Sequence, residues 1–359
     1  MPPSYRQTRS RPESPDREQG GRGEPAWYSL QVHSLQKGEV VAQRFRVLEV
    51  LGRGAMSAVY LAEDLRLPGA RWAVKELVEA SLPDAEREMA RVLFQREGEI
   101  LASLNHPGLP RILDAFSEPG GRHYLVMERI PGVPLDELLE GRTRPLLPQE
   151  ALPIALQAVQ VLEYLHGQAP PVVFRDLKPS NLMISPLGRV RFIDFGIARL
   201  QRSPSVKDTQ ELGTPGFCAP EQYHGQSTPR SDLYSLGVTL FYLLTLADPQ
   251  SFQFQFPPLS GYQPVPPQLE ETLARSLALN PQDRQASAAA LRVELEEALR
   301  AVPLRREGAT QALTGPLVEL GQHACRVPGA PGPALWRFWR EWFLRTFHLD
   351  AGISPRRHP

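Results

Sequence analysis

The sequence predicts an α+β chain of two lobes, a β-rich first part followed by a helix-rich second part. Two observations predict it. From Phe45 the stretch FRVLEVLGRGAMSAVYLAED alternates apolar and polar residues around a glycine pair, the pattern of strand, turn, strand. The second half reads instead as helices over 149–166, 230–246, 267–279 and 285–300.

Taken in order, residues 1–36 form a proline- and arginine-rich segment, nearly devoid of apolar side chains up to about residue 26, and are expected to be disordered. A folded domain is expected over 37–300, its first lobe ending near 130 and its second covering 131–300. In the first lobe RWAVKEL predicts a third strand. Met89, Val92, Leu93, Ile100, Leu101 and Leu104 recur at helical spacing between Asp84 and Leu104. GLPRILDAF and HYLVMERI predict two more strands joined by the turn EPGG. Short strands are expected around Leu182 and Val190. Glycine and proline return over 301–333, the composition of a flexible linker.

The segment 334–349, ALWRFWREWFLRTFHL, predicts an amphipathic helix. Leu335, Trp336, Phe338, Trp339, Trp342, Phe343 and Phe347 fall on one arc, and Arg337, Arg340, Glu341, Arg345 and His348 on the other. It is too short and too charged to span a bilayer. An interfacial helix on the inner membrane surface is one reading; a helix docked on a lobe of this chain or on a partner protein is the other.

Lysine plus arginine equals aspartate plus glutamate, 40 each, which argues against nucleic acid or an anionic membrane as the main partner. The two cysteines, Cys218 and Cys325, lie far apart in sequence and form neither a metal-ligand spacing nor a disulfide framework. No run of eighteen apolar residues exists, and the N-terminus lacks the apolar core of a signal peptide. The expected location is the cytoplasm, with the inner membrane surface as the alternative through 334–349.

Several residues point to chemistry. Gly52, Arg53, Gly54, Ala55, Met56 and Ser57 lie between two predicted strands, where glycines let the backbone approach phosphate oxygens; a plain hairpin turn would have the same composition. Lys75 is flanked by apolar residues on a predicted strand, and a buried ammonium requires an anion. Glu97, on the following helix, can supply it. Asp176, Lys178 and Asn181 cluster in VVFRDLKPSN, and Asp194 sits in the apolar stretch RFIDFGIA. A carboxylate and an amide oxygen suit Mg²⁺, which prefers hard oxygen ligands.

In order, LGRGAMSAVY, WAVKE, FRDLKPSN, DFG and APE resemble the signature of a eukaryotic-type protein kinase, and in detail the bacterial serine/threonine kinases of that superfamily. The resemblance runs from about Phe45 to Arg300. It implies a bilobed protein-kinase fold, with a β-rich N-lobe carrying one main helix and a mostly helical C-lobe. It also implies transfer of the ATP γ-phosphate to protein serine or threonine hydroxyls, with ATP and Mg²⁺ (Mn²⁺ as the alternative ion). Carried over by position, the loop Gly52–Ser57 covers the phosphates, while Val59, Ala73 and Met183 pack on adenine. Lys75 holds the α- and β-phosphates and is fixed by Glu97. Met127 is the gatekeeper, and Glu128 to Ile130 form the hinge. Asp176 takes the hydroxyl proton, Lys178 neutralises the transferring group, and Asn181 and Asp194 hold the metal.

Two positions depart from the pattern. Phe174 replaces a histidine and is expected to pack with Phe195, Leu101 and Ile112; Ser57 replaces the third glycine of the loop. A catalytically weak kinase-fold scaffold is the alternative function, although Lys75, Asp176, Asn181 and Asp194 are all present. A small-molecule phosphotransferase is disfavoured by three features: Thr214 and Glu221 in GTPGFCAPE, Arg284 as the expected partner of Glu221, and Asp232 as the brace of the catalytic loop. Arg175, beside Asp176, calls for an anion. Ser203, Ser205 and Thr209 could supply it when phosphorylated, and Thr209 is favoured. The proline-rich stretch from Ala247 to Gln268 is expected to shorten the helix that docks substrates.

Overall fold

The computed structural model describes residues 35–53, 57–78, 82, 84–194 and 214–303. The predicted helix 334–349, residues 1–34, all of the linker beyond residue 303, and Gly54, Ala55, Met56, Phe195, Ser203, Ser205 and Thr209 lie outside the described residues.

The first lobe is a six-stranded antiparallel sheet with one long helix. Its strands are β1 (Val40–Val41), β2 (Phe45–Arg53), β3 (Ser57–Asp64), β4 (Arg71–Val78), β5 (Ile112–Glu118) and β6 (Arg122–Glu128), arranged β1-β2-β3-β4-β6-β5. Helix α1 (Asp84–Ser103) follows β4. One face of the sheet carries a small core around Phe45, Tyr60, Val74, Tyr124 and Val126. Leu77 and Leu125 instead join Phe94 and Leu101 of α1 in the main core, which continues into the second lobe. This division explains why β4 is buried from Ala73 through Leu77 rather than alternating in and out.

The second lobe holds α2 (Leu135–Leu139), α3 (Pro148–His166), α4 (Pro229–Thr245), α5 (Pro267–Ser276) and α6 (Ala288–Ala301). A three-stranded sheet of β7 (Val133–Pro134), β8 (Leu182–Ile184) and β9 (Val190–Phe192) lies in the order β7-β8-β9. Helix α3 is apolar and buried on nearly every side, the mark of a central helix. Proline opens α3, α4 and α5, where its missing N–H costs nothing.

The structure corrects several details. Met89 and Val92 are nearly half exposed, and the packed stripe of α1 is Ala90, Phe94 and Leu101, with Leu104 buried just past its end. The last helix begins at Ala288, not 285, because the Ser287 hydroxyl accepts from the Ala290 N–H and caps it there. Among the described residues, the stretch between α4 and α5 holds only the 3-10 turns Pro249–Phe252 and Leu259–Gly261. Rings of Phe252, Phe256 and Tyr262 close on Phe241 there instead of forming a helix. Among the described residues no helix is long and apolar enough to cross a membrane.

Candidate active site

Strand pairing assembles the side expected to bind nucleotide. Val59 stands opposite both Gly52 and Lys75, and Ala73 stands opposite Met127. Lys75 is buried, and its Nζ donates to Glu97 Oε1 and Asp194 Oδ1, each at 2.7 Å. Burial works to lower the Lys75 pKa, but the two carboxylates outweigh it and hold the ammonium above its ordinary value. Burial pushes Glu97 up against the pull of Lys75. Glu97 Oε2 is buried with no hydrogen-bond partner among the described residues.

The catalytic loop is held from below. Arg175 has φ 72°, and this turn presents two consecutive N–H groups to one carboxylate. Phe174 N donates to Asp232 Oδ2 and Arg175 N to Asp232 Oδ1, both at 2.8 Å. His166 Nε2 lies 2.8 Å from the same Oδ2, and Gln222 Nε2 donates to the Arg175 carbonyl at 2.9 Å. Phe174 is fully buried, and its ring meets Phe192 edge-on at 4.7 Å. Leu101 and Ile112 belong to the same core. Phe192 was not foreseen as a partner.

Above this floor the acidic and basic groups converge. Asp176 is buried and accepts from Asn181 Nδ2 at 2.8 Å and from Thr214 Oγ1 at 3.0 Å. Lys178 Nζ donates to Thr214 Oγ1 at 2.6 Å and lies 3.3 Å from Asp176 Oδ2. The Asn181 carbonyl accepts from Ile193 N at 2.9 Å, which fixes Asn181 beside the strand leading into Asp194. Asp194 has φ 62°, a left-handed conformation that aspartate tolerates better than most residues, and its side chain is half exposed. Its carboxylate and the Asn181 amide oxygen suit a hard divalent ion. Among the described residues no group of three His, Cys, Asp or Glu could hold one by itself. A two-ligand site leaves the rest of the shell to water and substrate phosphates, as Mg²⁺ prefers.

Of the residues expected to meet adenine, Met127, Glu128 and Ile130 end β6 and begin the connection to the second lobe, and Met183 lies on β8. Sequence reasoning missed Arg191. From β9 it donates to Glu128 Oε1 at 2.7 Å, to Oε2 at 2.8 Å and to the Leu109 carbonyl at 2.7 Å. This ion pair ties the hinge to the second lobe and holds the Glu128 carboxyl below its usual range.

In the second lobe, buried Arg284 clasps Glu221 through Nη1 at 2.6 Å and Nη2 at 2.8 Å, the pair expected from the sequence, and lies over the Tyr234 ring at 4.8 Å. Burial works to raise Glu221, but the Arg284 and Ser231 hydrogen bonds prevail and hold it low. Arg175 differs: burial lowers its pKa, Asp232 opposes this, and nearby Arg96 adds to the lowering. Its Nε is buried with no hydrogen-bond partner among the described residues.

Residues 45–316 match the protein kinase domain family. The chain is 36% identical over 291 residues to a probable serine/threonine-protein kinase of Streptomyces coelicolor, covering 75% of this chain and 42% of that protein. It is 34% identical over 276 residues to the serine/threonine-protein kinase PknB of Mycobacterium tuberculosis, covering 71% of this chain and 43% of that protein. It thus spans about two-fifths of the length of these curated relatives. The crystal structure of the Mycobacterium tuberculosis PknI kinase domain superimposes with a TM-score of 0.59 at 29% identity, covering 74% of this chain and 99% of that one. By its fold, its ordered motifs and the matched length, this chain belongs to the protein kinase domain family.

Proposed function

We propose that the chain is a serine/threonine protein kinase that uses ATP and Mg²⁺, with Mn²⁺ as a substitute ion. Membership of the family implies ATP, a divalent metal and protein substrates. The observation that carries the reading is the convergence on Asp176 of Asn181, Lys178 and Thr214, joined to the Lys75–Glu97–Asp194 cluster through the Ile193 N–H that the Asn181 carbonyl accepts.

Each residue has a role that its position supports. Lys75, kept charged by Glu97, would bind the α- and β-phosphates, which the loop Gly52–Ser57 is proposed to cover. Val59, Ala73 and Met183 enclose adenine, Met127 limits the depth of that pocket, and the backbone from Glu128 to Ile130 meets its edge. Asp176 orients the acceptor hydroxyl and takes its proton. Lys178 sits where negative charge develops on the transferring group. Asn181 and Asp194 would hold the metal, which when bound neutralises phosphate charge. Thr214 links the substrate loop to Asp176, a contact suited to serine or threonine acceptors. Glu221, Arg284 and Asp232 keep loop and floor in register. Positioning and charge neutralisation are what phosphoryl transfer asks of the protein.

We also propose control by phosphorylation of Thr209. A phosphate there would give the underpaired Arg175 guanidinium its bidentate acceptor. Two widely spaced cysteines that build no disulfide framework support a cytoplasmic setting.

The test is transfer of labelled phosphate from ATP and Mg²⁺ to the chain itself and to a generic basic protein. Wild type is compared with Asp194→Asn, and phosphosites are mapped by mass spectrometry. Label in the wild type alone, with Thr209 among the sites, is expected. No label in a wild type that binds nucleotide, even with Thr209→Glu, would replace the enzyme with a kinase-fold scaffold.

A further inference from the structure

Glu76, next to Lys75 on β4, is fully buried and takes no part in the proposed transfer. Both of its oxygens are occupied. The Tyr60 hydroxyl of β3 donates to Oε2 at 2.9 Å, and the Tyr124 hydroxyl of β6 donates to Oε1 at 3.1 Å. Arg122 Nη1 lies 3.3 Å from Oε1, and this arginine also hydrogen-bonds the Tyr124 hydroxyl. The Leu35 N–H donates to the Tyr60 hydroxyl at 3.2 Å. Burial and the carboxylate push Tyr60 up to about 12, and burial raises Tyr124 against the pull of Arg122. Both hydroxyls therefore keep the protons they donate.

Around this network the core is apolar, with Ala58, Val74 and Val126 close by on the same three strands. Stability alone does not call for a carboxylate there, since a buried ionic group replaced by apolar residues of similar volume often leaves a protein as stable or more so. Its use is directional. Every residue of β4 from Ala73 through Leu77 is buried, so alternation of apolar and polar side chains leaves the strand's register weakly specified. Successive side chains on a strand face opposite ways. Glu76 stands opposite Ala58 and Tyr124, while Lys75 stands opposite Val59 and Leu125. A slip of one residue would bring Lys75 among the tyrosines and turn Glu76 toward Glu97 and Asp194, carboxylate against carboxylate.

We propose that Glu76 is a positioning residue for Lys75: gripped by Tyr60, Tyr124 and Arg122, it fixes the register and seat of β4 from behind, so that Lys75 meets Glu97 and Asp194 in front. The three strands it ties together also carry Val59, Ala73 and Met127, so the same network steadies the wall proposed to enclose adenine. This consequence rests on the proposed kinase activity.

The seat of Lys75 can be read without catalysis, as the rate at which acetic anhydride modifies it in the full chain, followed by mass spectrometry with Lys178 as the internal reference. Wild type is compared with Glu76→Gln and with an apolar variant (Tyr60→Phe, Glu76→Met, Tyr124→Phe), in which the partly exposed Arg122 can turn to solvent. The apolar variant should keep its thermal midpoint within a few degrees. Its Lys75 should be acetylated about tenfold faster with Lys178 unchanged, and its KM for ATP should rise about tenfold, more than kcat falls, as expected for the loss of one well-made buried hydrogen bond or more. Glu76→Gln, which keeps the shape and part of the bonding, should fall between. A folded apolar variant with wild-type acetylation of Lys75 would overturn the proposal. So would equal acceleration of Lys75 and Lys178 together with lost stability, which would reduce the network to support of the core. If the apolar variant does not fold, Glu76→Gln decides, and acetylation of its Lys75 no faster than in wild type would overturn the proposal. An inactive wild type would count against the kinase reading alone, since acetylation still reports the seat of Lys75.

Discussion

Asp176, proposed as the proton acceptor, sits almost out of solvent, with Thr214 and Asn181 hydrogen-bonded to its carboxylate and Lys178 beside it. Asp176→Asn keeps the shape and removes the basicity. It should lower turnover by roughly 10²–10⁴-fold while leaving the thermal midpoint within a few degrees, measured by steady-state kinetics and calorimetry together. Phe174 works differently. Its ring packs in the core, edge-on to Phe192. Phe174→Ala should cost about 3–5 kcal/mol, the usual penalty for emptying a buried aromatic site, read from urea unfolding. A much smaller loss would mean that the ring does not anchor the loop.

Between elements, single pairs carry the geometry. Arg191 on β9 and Glu128 at the end of β6 join the two lobes at the hinge. Arg191→Ala should raise the KM for ATP more than it lowers kcat, because it loosens the adenine edge and leaves the Asp176 cluster intact. Equal effects on both would argue against a hinge role. Gly216, two residues after Thr214, has φ 84°, and a Cβ there would come within 2.6 Å of Gln250 N. Gly216→Ala must therefore displace the backbone of the substrate loop. Protein phosphorylation should fall while nucleotide affinity, measured by calorimetry, stays unchanged.

For the molecule as a whole, buried ion pairs set the response to acid. Glu221, Glu128 and Asp64 are held below their ordinary values by Arg284, Arg191 and Arg44, burial opposing in each case. A carboxylate whose folded pKa is depressed adds stability above its unfolded value, here 4.5 for glutamate, and loses it as pH falls through the folded value. Glu76 and Glu97, raised by burial, act in the opposite sense. Substitution separates the two groups. The stability gap between wild type and Glu221→Gln should be steady from neutral pH to about 5 and close as pH falls further. A gap independent of pH would mean that the pair stabilises through shape rather than charge.

The sequence by itself determined the order of the longer elements and the residues proposed for the site. Strands and helices bury one face at fixed periods, and the charged residues of FRDLKPSN lie within a few positions of one another. Its limits are equally physical. Strands β1 and β7, two residues each, and α2, five residues long, are too short to show a period. Which face of α1 packs depended on the sheet beneath it, so Met89 and Val92 came out exposed. Arg191 and Glu128 are 63 positions apart, His166 and Asp232 are 66, and Gln222 and Arg175 are 47. Nothing in an ordinary arginine, histidine or glutamine announces such a partner. Only tertiary structure brought them together, because a buried polar group takes whichever partner the packed core leaves within about 3 Å.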